Sequence, residues 1–540
     1  MTVIELVLTF LSLVIWVVLL VGRGGFWRIS PLLEELEEDA VRGRRGEEVE
    51  EDAMRGRCGE EVEEDAVRGR RGEGETQNFN VSASSSYSSL PTICAIIPAR
   101  NEADLLPVTL TSLLSQDYAG NLTIFLVDDH SSDRTGEVAQ LIAEGLQKTS
   151  QLQVINAETL PAGWSGKLWA LEQGIRQASL LKPDYFLLTD ADIQHDCSNL
   201  NRLVTKAVQE NLDLASIMVK LRCESFWEKL LIPAFVFFFQ KLYPFSWVNN
   251  PHKSTAAAAG GCILIRRQAL ERIGGIESIR EALIDDCALA GAVKWGQGDA
   301  GIGGHEDRDI GGQGDAETRG HEDRDIGGHG DRGIGQGDAE TRGHGDKGIF
   351  NFLISLSLRL PLTASPPRRV SPSSRLPLTT SPPHRVSPSP RLPLTASPPH
   401  RVSSSFPIWL GLSSQTKSLR AYNSLESIWN MVARTAFTQL NYSLFLLLAT
   451  LMGMFVIYLA SPGGFILGLV TGNWLVAGLG LWGWLLMSWA YYPTIRFYQC
   501  SPLFAFSLPI IGFLYTLMTF DSALRHWQGR GGAWKGRVYE

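Results

Sequence analysis

The amino-acid sequence predicts an α/β protein, a mostly parallel β-sheet between helices, with apolar helices added at both ends of the chain. Two observations predict the sheet. Between Thr92 and Trp295, short β-branched and aromatic runs alternate with stretches of helical periodicity, the pattern of strand–helix–strand units. Those runs stop at acidic or polar clusters, and open sheets of this kind bind ligands at the ends of their strands. A third observation sets the frame: apolar runs long enough to cross a bilayer stand before and after this region.

The averages hide this arrangement. Over 540 residues the chain is 44% hydrophobic with a formal net charge of −8, which describes an ordinary globular protein. No basic stretch interleaved with aromatics suggests a nucleic-acid groove, so that partner is excluded. Seven scattered cysteines (Cys58, Cys94, Cys197, Cys223, Cys262, Cys287 and Cys500) form no CxxC pair. Neither a zinc site nor a disulfide framework is indicated, and a reducing, cytoplasm-facing location fits.

Taken in order, residues 1–22 are expected to be an uncleaved membrane anchor. The run Ile4 to Val21 is followed by Arg23 and Arg28 and by no small-residue cleavage site, which places the next segment in the cytoplasm. A cleaved signal peptide is the alternative. Residues 30–88 carry a 13-residue charged repeat marked by Asp39, Asp52 and Asp65. It offers little to bury, so a solvated linker, disordered or partly helical, is expected.

The catalytic region is placed at 91–295. Its strand-like runs are 92–97, 123–127 and 185–189, and Lys167 to Leu180 reads as a helix. Within it, residues 226–247 combine an apolar middle with Trp227, Tyr243 and Trp247 and are broken by Pro233 and Pro244. That composition suits a helix lying in the headgroup zone; a buried core helix is the other reading.

Residues 296–406 follow as a Gly/Asp/His/Arg repeat and then a 16-residue Leu-Pro repeat starting at Leu360, Leu376 and Leu392. Glycine and proline at this density preclude a fixed ligand geometry for the histidines, and disorder is expected. The domain is expected to resume over 407–440, with a strand and a helix, so the repeat reads as an insertion in a surface loop. Residues 441–520 hold three further apolar stretches: Leu444–Leu459, Phe465–Trp489 and Leu503–Phe520. Pro502 and Pro509 suggest that the last is re-entrant or interfacial. The tail, 521–540, is basic, which favours the cytoplasmic side.

The chemistry is carried by strand ends. Leu187 to Ile193 is an apolar strand ending in Asp190-Ala191-Asp192. Two carboxylates one residue apart can share Mg²⁺ or Mn²⁺ while the cation also binds diphosphate oxygens. Upstream, Leu126 to Thr135 ends in Asp128-Asp129, whose carboxylates can accept hydrogen bonds from ribose hydroxyls or a base. Ser131, Ser132 or Asp133 there is ordinary capping chemistry. Ile96 to Glu102, with Pro98, Arg100 and Glu102, repeats the geometry.

These motifs (Pro98 to Glu102, Val127 to Asp133, Gly166 to Gly174 and Thr189 to Asp192, in that order and spacing) resemble family 2 glycosyltransferases. A narrower set, 233–239, 258–262, 284–290 and 530–537, resembles the hopene-associated glycosyltransferases of bacterial hopanoid gene neighbourhoods. The resemblance covers Thr92–Trp295, Pro407 to the end and the anchor; both repeats lie outside it. It implies a GT-A-like nucleotide-diphospho-sugar transferase fold acting with inversion, on a nucleotide-sugar donor and a membrane lipid acceptor at the bilayer.

It also implies roles. Asp286 is expected to be the base and Asp285 its neighbour in acceptor binding, although many relatives carry Glu-Asp at this pair. Pro98, Arg100, Glu102, Asp128, Asp129, Lys167 and Asp190 are expected around the donor, and Asp190 with Asp192 at the metal. Trp227, Gly260, Gly261 and Arg434 are expected on the acceptor or membrane side. Arg530, Trp534, Lys535 and Arg537 are expected to fold back over the diphosphate. The Gln-x-x-Arg-Trp motif of processive members is missing from 431–440, so single transfer is expected rather than polymer synthesis. Polyprenyl-phosphate or carotenoid acceptors remain open alternatives. A non-catalytic membrane scaffold that binds nucleotide sugars is the reading from a different class. The expected location is the cell (inner) membrane, multi-pass, with the catalytic domain cytoplasmic.

Overall fold

A computed structural model describes residues 2–35, 90–296, 405–529, 533–534 and 537–538. Most of the expected charged linker and of the expected insertion lies outside the described residues, as do Arg530 and Lys535.

Helix α1 (Thr2–Gly22) leads into an eight-stranded sheet. Its strands are β1 (Ile93–Ala99), β2 (Leu122–Asp128), β3 (Leu152–Asn156), β4 (Tyr185–Thr189), β5 (Ile193–Gln194), β6 (Leu214–Lys220), β7 (Cys262–Arg266) and β8 (Ile408–Ser418). The spatial order is β3-β2-β1-β4-β7-β6-β8-β5. All seven residues of β1 and all five of β4 are buried, as expected of strands covered on both faces. Cys94 and Ile96 point into one core cluster, Ile93, Ala95 and Ile97 into the other, following the two-residue strand period.

The sheet is more mixed than simple alternation predicts. Neighbours β3-β2, β2-β1, β1-β4 and β6-β8 are parallel, whereas β4-β7, β7-β6 and β8-β5 are antiparallel. Strand β7 arrives from the opposite edge after a long helical excursion, so it runs back along β4. The register then sets Ala99 beside Asp128 and Thr189 beside Cys262. Four polar loops therefore open on one edge.

The covering helices are α2 (Leu106–Leu114), α3 (Thr135–Gly145), α4 (Gly166–Ala178) and α5 (Asn199–Gln209). Gly174 lets α4 lie directly on β1, because a Cβ there would meet Ile96 Cγ2 at 2.5 Å. Next come α6 (Phe226–Leu242), α7 (Phe245–Val248), α8 (Arg267–Arg272) and α9 (Asp285–Trp295). On the far side of residues 297–404, Phe406 N–H donates to Lys294 O at 3.0 Å. The chain thus re-enters beside the point where it left, and β8 pairs with β6.

Helix α6 starts with a capping box, Ser225 and Glu228, and has a buried middle, including Leu231, Ile232 and Phe237. It is packed between the sheet and the apolar helices, more enclosed than a helix resting only in headgroups; Phe226 is exposed and Trp227 is half-buried.

The remaining helices are α10 (Leu425–Ala433), α11 (Leu444–Met454), α12 (Ala460–Thr471), α13 (Trp474–Phe497) and α14 (Leu508–Trp527). A π-helical turn, Phe455–Leu459, joins α11 to α12. The break therefore falls at Gly472, in the left-handed region, and at Asn473, whose side chain caps α13, not at Ser461 to Gly464. Those small residues seat helices instead: Cβ atoms on Gly464, Gly480 and Gly483 would meet Thr9, Phe465 N and Ser461, the close approach typical of apolar bundles. Pro502 and Pro509 sit at helix starts, where no N–H is needed, so α14 is unbroken.

Among the described residues, five helical segments are long and apolar enough to cross a membrane: Val3–Gly22, Phe226–Val248, Leu444–Thr471, Trp474–Phe497 and Pro502–Trp527. Helix α1 is locked to the others by Trp16 Nε1, which donates to Ile457 O at 2.8 Å. Arg23 donates to Lys241 O and Leu242 O, closing the end of α6. Beyond it, Leu33 N–H donates to Leu412 O and Leu412 N–H to Pro31 O, so the segment after α1 is stitched to β8.

Candidate active site

The site grows from the loops at the shared strand edge. Helix α4 begins at Gly166 because Ser165 caps it, accepting from Leu168 N–H at 3.2 Å. That start aims Lys167 across the ends of β4 and β7. Its Nζ lies 3.0 Å from Asp190 Oδ1 and 3.3 Å from Asp285 Oδ2. Asp286, next on α9, accepts from Gly260 N–H at 2.9 Å through Oδ2 and from Cys287 N–H at 2.7 Å through Oδ1. A Cβ on Gly260 would stand 3.2 Å from Lys167 Nζ and 3.4 Å from Asp286 Oδ2, so glycine lets the backbone reach the carboxylate. Pro98, Lys167, Asp190, Gly260, Asp285 and Asp286 line one cleft.

Charge inside this cleft is strongly coupled. Desolvation opposes the Lys167 ammonium, but Asp190, Asp285 and Asp286 outweigh it and hold the lysine protonated well above its ordinary range. Asp286 is pushed up to about 6 by enclosure and by Asp285, with Lys167 and two backbone N–H donors acting against the rise. Asp190 is also raised, by enclosure first, with Lys167 opposing and Asp192 and Asp285 adding to the rise. A carboxylate near 6 is poised to accept a proton close to neutral pH.

Asp192 and Asp128 stand outside the lining of that cleft. Asp192 accepts from Ser418 Oγ at 2.7 Å and from Arg420 Nε at 3.3 Å. Arg420 also donates to Glu102 at 2.6 Å, so one guanidinium joins the first strand's loop to the Asp190-Ala191-Asp192 turn. Sequence reading passed over Arg420 and Ser418. They are placed by β8, whose Ser418 pairs with Ile193 of β5. No local pattern marks them, because 228 positions separate Arg420 from Asp192.

The β1 and β2 loops are laced together. Asp129 is buried and held by Arg100, at 3.3 Å, and by His130. Asp128, half-buried, accepts from Ser131 N–H at 3.0 Å. Asn101 N–H donates to Ser131 Oγ, Ala103 N–H to Asp133, and Glu102 N–H to Thr135 Oγ1. Asp133 therefore braces the neighbouring loop, while the position before α3, Arg134, caps without its side chain.

Gly261 O accepts from Thr189 Oγ1 and Asp190 N–H. His195, left out of the metal set in sequence, is buried between Thr189 and Asn199. Burial lowers it to about 4, so it is a neutral core residue. Arg434 is exposed at the end of α10 and bears electrostatically on Tyr422. Trp534 and Arg537 belong to a terminal hairpin, β9 (Ala533–Trp534) and β10 (Arg537–Val538).

The metal expectation can be tested on the donor set. Among the described residues no cluster of three or more His, Cys, Asp or Glu is poised for an ion. Mg²⁺ and Mn²⁺ sites at phosphates commonly use one or two carboxylates, the phosphates and water. Asp190 and Asp192 fit that smaller set, since each side-chain contact described above engages a single oxygen of each carboxylate.

Residues 94–274 match the family described as Glycosyl transferase family 2. Residues 94–274 are thus similar to a family 2 glycosyltransferase domain, within a GT-A-like sheet. The chain is 26% identical over 205 residues to the probable glycosyltransferase YdaM of Bacillus subtilis, covering 37% of this chain and 46% of that protein. It is 25% identical over 207 residues to the beta-monoglucosyldiacylglycerol synthase of Trichormus variabilis, covering 37% of this chain and 41% of that one. The chain thus spans less than half the length of these relatives. Among solved structures, a mannosyltransferase from Pyrobaculum calidifontis with GDP-Man and Mn²⁺ aligns with a TM-score of 0.30 and 22% identity, over 39% of this chain and 56% of that chain.

Proposed function

We propose that this protein is an inverting, metal-dependent glycosyltransferase that moves a sugar from a nucleotide-diphosphate sugar to a membrane lipid alcohol. The observation that carries the reading is the cleft in which Asp286, Asp285 and Asp190 converge on Lys167. Asp286, with its raised proton affinity, takes the proton of the acceptor hydroxyl. The hydroxyl oxygen then bonds to the anomeric carbon as the carbon–oxygen bond to the diphosphate breaks on the opposite face. The nucleoside diphosphate departs with the bonding electrons. Lys167 exchanges its carboxylate partners for phosphate oxygens, and Arg420 fixes the orientation of Asp192. Asp190 and Asp192 would hold a divalent cation, which would neutralise charge on the leaving diphosphate.

Asp128 and the Arg100–Asp129 pair line the approach to the donor's nucleoside. Gly260 and Gly261 keep the acceptor side open, and Arg434 and Trp227 flank it. The tail residues Arg530, Trp534, Lys535 and Arg537 would supply positive charge and an aromatic face to the diphosphate. Alanine at Arg530, Lys535 and Arg537 with unchanged donor affinity would end that last point.

Lipid as acceptor is supported by the five apolar helical segments and by a relative whose name is that of a glycolipid synthase. The motif pattern at 233–239, 258–262 and 284–290 supports a hopanoid-related alcohol, with the domain on the cytoplasmic face of the cell membrane. Membranes containing the full chain are incubated with radiolabelled nucleotide sugars and Mn²⁺, and the lipid is extracted. Label in the lipid that vanishes with Asp286→Asn is expected. No label from any donor in any metal favours a non-catalytic scaffold, and label in polyprenyl phosphate or carotenoid redirects the acceptor.

A further inference from the structure

A second cavity opens where α1 leaves its apolar stretch. Its walls include Val21, Phe26, Trp27, Arg28, Gln240 and Phe245, and none of its lining residues lines the catalytic cleft. Its volume is about 260 Å³, far more than a single water needs. Gly24 and Gly25 both take the left-handed conformation and turn the chain around it. A Cβ on Gly24 would strike Trp247 at 2.6 Å, so glycine allows this wall to close.

Gln240 gives the cavity a specific demand. The residue is 2% exposed, and its Nε2 donates to Arg28 O at 3.2 Å. Its Oε1 has no hydrogen-bond partner among the described residues. Buried polar atoms are normally satisfied, so this oxygen calls for a donor brought in from outside. At the rim, the exposed Arg28 guanidinium lies over the Trp27 ring at 5.1 Å, a rigid cation suited to a phosphate. The remaining walls combine apolar Leu20, Val21, Phe26, Trp27, Pro31 and Phe245 with Ser30 and Ser246. They continue into the exposed ridge of Val17, Val18 and Val21 on α1, which belongs to a segment long and apolar enough to cross a membrane.

We propose that this cavity binds a phospholipid whose headgroup carries a hydrogen-bond donor. The phosphodiester meets Arg28, the headgroup hydroxyl or ammonium donates to Gln240 Oε1, and one acyl chain follows the valine ridge. The site is separate from the transfer reaction and does not rest on it.

The test is native mass spectrometry of the full chain in detergent, titrated with phosphatidylglycerol, phosphatidylcholine or glycerol 3-phosphate. The protein is expected to retain one phosphatidylglycerol about tenfold more tightly than phosphatidylcholine, which lacks the donor. Gln240→Leu is expected to erase that preference. Arg28→Ala, at an exposed position, is expected to weaken both lipids while nucleotide-sugar binding stays unchanged. Equal retention of the two lipids overturns the proposal, as does retention that neither variant alters. Glycerol 3-phosphate held as tightly as the lipid shows a soluble anion site instead, and no retained ligand shows a water-filled cavity; either result overturns it.

Discussion

Asp286 sits at the centre of the residue-scale chemistry because its two oxygens are held by Gly260 N–H and Cys287 N–H while its environment raises its proton affinity to about 6. A base works only when deprotonated, so turnover should rise with pH through about 6 and level off above it. Asp286→Asn should remove that limb and lower turnover on the order of 10²–10⁴-fold with donor binding retained. A pH–rate profile without an inflection near 6 would count against this base. Arg420 offers a second residue-scale test, since it neutralises Glu102 and Asp192 together. It is about one-third exposed, so Arg420→Gln should cost only about 1 kcal/mol, read as a lowered denaturation midpoint. Mn²⁺ should then raise the variant's midpoint more than the wild type's, because a cation meets Asp192 without a competing guanidinium. Equal shifts would show that Arg420 and the ion do not share that carboxylate.

At the scale of elements, the contact of α4 with β1 decides where Lys167 points. Gly174→Ala would place a Cβ 2.5 Å from Ile96 Cγ2 and 3.0 Å from Val127 Cγ2. Both neighbours are packed strand residues that cannot swing aside. A loss of ~1–3 kcal/mol in unfolding free energy is expected, with reduced turnover as Lys167 shifts; an unchanged denaturation midpoint would refute the close packing. Elements were largely legible from sequence. The run 185–189 is strand β4 without adjustment, and Lys167 to Leu180 became Gly166–Ala178, because local periodicity fixes both. The prolines near the end of the chain, which suggested a re-entrant or interfacial stretch, do not interrupt α14. Proline disrupts a helix only where an N–H is required, and Pro509 falls in the first turn of α14.

For the whole molecule, the Phe406–Lys294 hydrogen bond and the pairing of β8 with β6 bring the chain on both sides of residues 297–404 into one domain. Replacing 297–404 by a short Gly-Ser linker should therefore leave the thermal midpoint and nucleotide-sugar binding nearly unchanged, since closure entropy varies slowly with loop length. A collapse of either would show that the excised segment supports the domain. The segment that follows α1 is also part of the fold: Pro31 and Leu33 bond to Leu412, and Glu34 accepts from Ser414 N–H at 2.9 Å.

Sequence by itself determined the strands with acidic ends, the apolar helices and the candidate carboxylates, because period and composition act over a few neighbouring residues. Tertiary structure alone decided which charges meet. Lys167 reaches Asp190 and Asp285 only because α4, β4 and α9 converge on one edge. Arg420 reaches Asp192 and Glu102 only because β8 returns beside β6 and β5. Such pairings depend on chain reversal over long separations, and no local pattern encodes them.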